Sequence, residues 1–447
     1  MRENQLCFYL RVVILPVLVV LLGPVKTAHA DGAQTIQLAA SVYPSVVALE
    51  NDNALHPKEG TIAFVLGYRH PGDGGGGQFF FNPSDSRKAN GGTVLPVRGM
   101  EGARWNRLYT GARYVTYFGA TGDGKTDDTA AIQSAVDDTP DGGQLAFPLG
   151  KYVVSGIRVS RPIKLLGEGA SKWESHGAEL VAKGNQAFVL AFSHESETVP
   201  GVALGGEITN LALEGGGHEL SDGVFVGLGF SEVTVRNLEI GHAIGNGVRL
   251  QHWFEGKFEN VFFNSIDASH SDAVFFVGPI ALKNLAANVN NLRIYDSRFE
   301  GNFGTYIKSD PKANLDIFVL SNCKFEWSGQ AWHAAEHFPL FDLDSAFRVQ
   351  IFSNSITQFR FGKNYSPILK VAAGSGSPAT SRGAGIKFFN NDFSGLDNDT
   401  ILLDSRSDAV AQWTGNTIID SPFSKKIVQE SPLKGIFMEN FLRYGHF

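Results

Sequence analysis

The stretch Phe118-Gly-Ala-Thr-Gly-Asp-Gly-Lys-Thr-Asp-Asp-Thr-Ala-Ala-Ile-Gln-Ser-Ala-Val136 supports two incompatible readings. Residues 119–126 fit the phosphate-cradling pattern GxxxxGK[ST], with an apolar strand-like run at 114–118 before it and a helical pattern after it. Read as punctuation instead, the glycines form a tight turn that opens a helix. In that reading Thr126 or Asp127 caps a helix over 126–138, the one convincing helical pattern in the chain. Asp127 and Asp128 then sit in its first turn, where the dipole favours carboxylates, and Ala130, Ala131, Ile132, Ala135 and Val136 form its apolar stripe.

Electrostatics separates the two. Two carboxylates directly after Gly-Lys-Thr would crowd negative charge against a bound phosphate. A nucleotide domain also needs strands alternating with long helices, and after Gly142-Gly143 the chain breaks into short strands at 144–147, 152–154, 157–159 and 163–166. The N-terminus argues the same way. Residues 12–22 are an apolar core with Arg2 and Arg11 around it, and the small-x-small site Ala28-His29-Ala30 lies just beyond. Residues 1–30 therefore read as a signal peptide, and the remainder as a secreted or periplasmic protein without a membrane span. ATP is scarce there, so no nucleotide is expected.

The formal charge is −7, and loss of Arg2, Arg11, Lys26 and Glu3 with the leader makes it more negative. Such a chain does not suit nucleic acid. Cys7 leaves with the leader, so Cys323 stands alone in a strand-like run and reads as a buried small residue. Abundant glycine and phenylalanine, with 19% charged residues, suit a β-rich fold with tight turns and stacked aromatic interiors.

Residues 31–113 read as a small N-terminal β region with strands near 61–66, 78–81 and 93–97. Its run Gly72-Asp-Gly-Gly-Gly-Gly77 reads as a hairpin connection, and Arg104-Trp105-Asn-Arg107 packs the region onto the segment after residue 113. From residue 207 a repeat appears. Asn or a polar stand-in recurs inside an alternating strand at Asn210, Asn237, Asn260, Asp296, Asn322, Asn354, Asn390, Asn416 and Asn440, at intervals of 23 to 36 residues. Strand-built repeats of this period indicate a parallel β-helix over 114–447, with an amide ladder and with loop insertions in the longer coils.

The chain resembles the pectate-lyase-like superfamily of right-handed parallel β-helices, which includes rhamnogalacturonases, alginate epimerases, glucanases and phage tailspikes. The resemblance rests on Tyr117-Phe-Gly-Ala-Thr-Gly-Asp-Gly-Lys-Thr-Asp-Asp-Thr-Ala-Ala-Ile-Gln133, Phe147-Pro-Leu-Gly-Lys-Tyr152 and Leu165-Leu-Gly-Glu-Gly169. It implies an all-β, single-stranded parallel β-helix with an N-terminal capping helix, and a polysaccharide partner.

Equivalent positions in successive coils lie one strand spacing, ~4.8 Å, apart. Aligning Ser221-Asp222-Gly, Gly245-Asn246-Gly, His270-Ser-Asp272 and Gly304-Thr-Tyr306-Ile-Lys308 puts Asp222, Asn246 and Asp272 in one column, with His270, Arg249, Tyr306 and Lys308 nearby. Two coils would separate the carboxyls of Asp222 and Asp272 by about 9–10 Å, at the top of the spacing for inverting glycoside hydrolysis. The set resembles that of polygalacturonases in Asp222 and Lys308. It departs where Asn246 replaces an aspartate and where His270 lacks flanking glycines. The candidate catalytic residues are thus Asp222, Asp272, His270 and Lys308, with Asn246, Arg249, His252, Tyr306 and Trp327 as substrate-binding residues.

No cofactor and no resident metal are expected under hydrolysis. Under β-elimination, Arg249, His252, His270, Tyr306 and Lys308 supply neutralising and basic groups, and Ca²⁺ enters as a further neutraliser. The Asp-Pro-His signature of alginate epimerases is absent. A third reading is a non-catalytic glycan-binding or exopolysaccharide assembly protein. Structural readings stand beside these. Asp and Asn before Gly cap turns, His242 suits a turn, Glu300 and Glu326 suit a solvent face or groove flank, and Trp253, Trp327 and Trp332 suit packing. His333, Glu336 and His337 have ligand types but no matching third ligand.

Overall fold

The computed structural model describes residues 40–53, 56–169, 177–194, 201–269, 272–280, 286–326, 338–357, 367–372, 385–394, 403–405, 411–419, 427–429 and 438–443. The leader expected at 1–30 lies outside these residues, as do His270, Trp327, Trp332, His333, Glu336 and His337. Among the described residues no helix is long and apolar enough to cross a membrane.

Alternating apolar residues build the N-terminal sheet. Ile62–Val65 pairs antiparallel with Gly77–Asn82, which pairs with Met100–Leu108, and Val94–Val97 closes the far edge. The glycine run is the hairpin connection expected. A short helix, Val46–Glu50, was not evident from the sequence. Its one turn carries no apolar period, and Ser45 Oγ caps it by accepting the Ala48 N–H. Arg107 ties the sheet to the next segment. Its buried guanidinium donates to the carbonyls of Gly75, Gly76 and Gly92, and it lies 4.5 Å from the Phe79 ring centroid and 4.2 Å from that of Tyr117.

The opening motif folds differently in detail from its sequence reading. The helix is Thr129–Asp138, and Asp123–Asp127 is a strand paired with Gly150–Val154. Asp128 does not cap the helix with its side chain. Its carboxylate, 1% exposed, accepts the Thr121 and Gly122 N–H groups at 2.7 and 3.0 Å and the Thr121 hydroxyl at 3.0 Å. Asp123 accepts the Lys125 and Thr126 N–H groups at 2.8 and 2.7 Å. The amides of Thr121, Gly122, Lys125 and Thr126 are thus already satisfied by carboxylates, which argues against a phosphate cradle here. Asp127 serves the helix start, accepting the Thr129 N–H at 3.0 Å, and the Thr129 hydroxyl and Lys183 hold its carboxyl down to about 2. The helix buries Ile132, Ala135 and Val136 against the first coil.

Beyond it the chain winds as a parallel β-helix with three faces. One residue per coil takes left-handed backbone at the corner between the second and third faces: Asn210, Asn237, Asn260, Asp296, Asn322, Ser353 and Asn390, all with φ of 53° to 55°. Asn and Asp tolerate that conformation best among residues with a Cβ, which is why the repeat is visible in the sequence. The amides ladder from Asn237 to Asn210 at 3.2 Å and from Asn260 to Asn237 at 2.8 Å. The expected series slips in two places. Asn354 and Asn416 occupy the next, inward position, which runs Leu211, Leu238, Val261, Ser297, Cys323, Asn354, Asn391, Asn416. There a second, fully buried ladder joins Asn354 to Asn391 at 2.9 Å and Asn391 to Asn416 at 3.0 Å. Inside the coils, Phe263, Phe299 and Phe325 stack at centroid distances of 4.4 and 4.6 Å. Cys323 is buried as expected.

Candidate functional site

The first face contains Val248–Leu250, Phe275–Val277, Ile307–Ser309, Phe341–Leu343, Leu369–Val371 and Leu403–Ser405, each in parallel register with the next. Strand alternation turns the flanking residues of each triplet inward and the central one outward. The outward row is therefore Arg249, Phe276, Lys308, Asp342 and Lys370. Phe276 lies between two cations, with Arg249 Cζ 5.3 Å and Lys308 Nζ 5.4 Å from its ring centroid. Lys370 pairs with Asp342 at 3.1 Å.

Arg249 is held from several directions. It donates to the Ser221 carbonyl at 3.4 Å and to the Pro279 carbonyl, and Nη1 lies 3.8 Å from Asp222 Oδ1. Burial pushes its pKa down, while the charges of Asp222, Asp272 and Asp310 push it back up.

Asp222 and Asp272 lie where the strands of this face begin. Asp222 is 3% exposed, and Asp272 is half-buried. Asn246, 0% exposed, donates to Asp272 Oδ1 at 2.9 Å and accepts the Ala273 N–H at 3.0 Å. It stands one position out of the expected column, because the Val224 N–H bonds to the Asn246 carbonyl and sets Asn246 beside Gly223. That position needs glycine. Its φ is +137°, and a Cβ there would meet Asn246 O at 3.1 Å. Asn246, expected to touch substrate, instead positions Asp272 from beneath.

One further expectation is corrected. Tyr306 is 0% exposed, its ring among Phe299 and Phe325 and its hydroxyl on the Asn302 carbonyl at 3.1 Å, so it is core and offers no surface to a sugar. The residue beside a strand's outward position faces in, and only the register reveals which is which. His252 lies on the next strand, His252–Phe254, in a row with Asn288 and Asn314, and its Nε2 is 3.0 Å from the Ala286 carbonyl. Register does not bring it into the Arg249 row. Trp253 is likewise core, between Phe225 and Phe230. His270 and Trp327 fall outside the described residues.

The third face carries Glu300 and Glu326, expected on a solvent face or flanking a groove. Glu300 is 7% exposed, bound by Arg298 and 3.4 Å from Lys324 Nζ, and Lys324 also pairs with Glu326. One coil corner brings Glu214, Glu239 and His242 together with ligand atoms within 4.8 Å of one another. His242 Nδ1 sits 2.5 Å from Glu214 Oε2, and that contact raises its pKa. The three groups have the spacing a single cation needs, and the His–Glu pair also satisfies itself through a proton. The sequence signal was Ile-Gly-His-Ala, where a histidine in left-handed backbone projects sideways onto the coil below.

The family described as rhamnogalacturonase A/epimerase, pectate lyase-like, matches residues 112–196. A second family, the phage tail protein small four-stranded β-sheet domain, matches residues 43–110. No curated protein matches the chain. Among solved structures, ORF18 of Geobacillus virus E2 is similar at 15% identity and a TM-score of 0.54, over 92% of this chain and 75% of that one. The family 28 exopolygalacturonase of Yersinia enterocolitica is similar at 13% identity and a TM-score of 0.51, over 76% and 72%. At such identities the likeness is one of fold. Residues 112–196 are thus similar to a pectate-lyase-like family, and the coils that continue the matched segment share the parallel β-helix fold of these structures.

Proposed function

We propose that the protein is an exported enzyme that cleaves glycosidic bonds of an exopolysaccharide or uronate-containing glycan by inverting hydrolysis along the first face. The observation that carries this reading is the placement of two carboxyls at the start of that face, Asp222 at 3.8 Å from the largely buried Arg249 and Asp272 held by Asn246 at 2.9 Å. In this scheme Asp272, steadied by Asn246, takes the proton from the attacking water. Asp222 supplies the proton to the leaving oxygen, and Lys308 and Arg249 hold anionic groups of the sugar beside Phe276. A matching family named for a rhamnogalacturonase, and an exopolygalacturonase among the structures of this fold, support a glycan as substrate.

The test is product chemistry on acidic polysaccharides. Hydrolysis releases reducing ends without near-ultraviolet absorbance, and Asp222→Asn and Asp272→Asn each abolish it. Retention of full activity by both variants overturns the pair. A lyase is the second reading, favoured by the downward push of burial on Arg249, the direction a base requires; it gives unsaturated, absorbing products. A purely glycan-binding protein gives neither product while still being retarded by polysaccharide in a gel.

A further inference from the structure

The second face presents two outward rows to solvent. One runs Lys257, Arg293, Val319, Gln350, Lys387, and the other Glu259, Tyr295, Ser321, Phe352, Phe389, each residue in register with the next. Cationic and amide groups thus lie along one side of a strip and rings along the other. Between them a groove is lined by Lys257, Arg293, Tyr295, Ser321 and Phe352.

The charges are unusual for this molecule. On the same face Lys164 and Arg236 are neutralised by Glu207 at 3.5 and 2.7 Å. Lys257 and Arg293 are stacked directly on one another, and neither has an ion pair among the described residues. Arg293 Nε reaches only the Asn291 side chain at 3.4 Å, and Glu259 accepts the Tyr295 hydroxyl at 3.2 Å. On the other flank of the two cations, Glu232 and Glu255 line a second hollow together with Lys257 and Arg293, with no ion pair to either cation among the described residues. Like charges opposed across a ladder are destabilising unless an anion lies between them. The rings have a matching logic. Phe352 and Phe389 stack at 5.0 Å, and the small Ser321 leaves a slot between Tyr295 and Phe352, two strand spacings or ~9.6 Å apart.

We propose that this strip is an accessory binding site for a carboxylated polysaccharide lying along the helix axis, its sugar faces on Tyr295 and Phe352 and its carboxylates on Lys257 and Arg293. Charge complementarity selects the ligand, because the chain as a whole carries −7 and would repel a polyanion anywhere lacking such a patch. The site is separate from the first-face cluster and does not depend on the reaction assigned there.

Affinity electrophoresis in polygalacturonate gels tests it, with the Asp272→Asn protein so that no chain is cut. Retardation is expected in polygalacturonate and not in neutral dextran. The Lys257→Gln/Arg293→Gln variant should weaken binding by about tenfold, and Tyr295→Ala should weaken it as well. Lys257→Gln alone, at an exposed position, gives a readout if the double variant folds poorly. Unchanged retardation in the cation variants overturns the proposal. Equal binding of dextran sulfate, unaffected by Tyr295→Ala, also overturns it, since that is charge attraction without sugar recognition. Absence of cleavage by the native protein, with retardation intact, rejects the first-face reading and leaves this one standing.

Discussion

Asn246, wholly buried, holds Asp272 through a 2.9 Å hydrogen bond and takes the Ala273 N–H on its other atom. One amide therefore satisfies two groups of the neighbouring coil. Asn246→Ala orphans the buried Ala273 N–H and takes one donor from Asp272, and stability should fall by about 1–3 kcal/mol. Chemical denaturation measures it. A variant as stable as the parent would mean that Asp272 and Ala273 find other partners.

The inner ladder makes a steeper prediction. Asn391 accepts from the Asn354 N–H and Nδ2 and donates to the Ile351 carbonyl and Asn416 Oδ1, all inside the coil. Asn391→Leu fits the volume but leaves those partners unmet, at about 1–3 kcal/mol for each buried orphan. Asn237→Gly, in the half-buried outer ladder, keeps the left-handed corner unstrained and should cost clearly less, because water replaces the lost amide. Paired denaturant curves give the comparison.

Asp128 and Asp127 are adjacent, yet they should differ sharply. Asp128 is 1% exposed and holds three donors of the 121–122 turn, so Asp128→Ala should cost about 2–4 kcal/mol. Asp127→Ala removes an exposed helix-start contact and an exposed ion pair with Lys183, a loss of about 1 kcal/mol or less. Thermal midpoints of the two variants decide it, and equal losses would contradict the bracing role of Asp128.

The contact with Glu214 raises the pKa of His242 in the folded protein. A raised folded pKa contributes stability that is complete below the unfolded value near 6.5 and disappears as pH climbs through the folded value. The melting difference between the parent and His242→Gln should therefore be largest near pH 5.5 and shrink as pH rises above about 6.5. A difference that grows with pH would have the wrong sign for this pair.

Much of the fold is legible because the coil imposes a recurring local demand. Each turn between the second and third faces needs a left-handed residue, and Asn or Asp at 210, 237, 260, 296, 322 and 390 records that demand in the sequence. The two slips, at Ser353/Asn354 and Gly415/Asn416, come where a second buried row of amides begins, which looks the same in one dimension. The short helix Val46–Glu50 left no periodic trace at all.

Local residue patterns alone specify the solenoid, its helical cap and the acidic residues near 222 and 272, since these depend on backbone conformation and residue type at short range. Which side of each strand a residue takes, and which coil it meets, is decided by the stacking of distant segments. Insertions of varying length between coils shift the register, and one step turns a groove residue into core. Tyr306 was lost from the site in that way, and Asn246 became a support. The same stacking set Lys257 against Arg293, 36 residues apart in the chain, with no ion pair to either among the described residues.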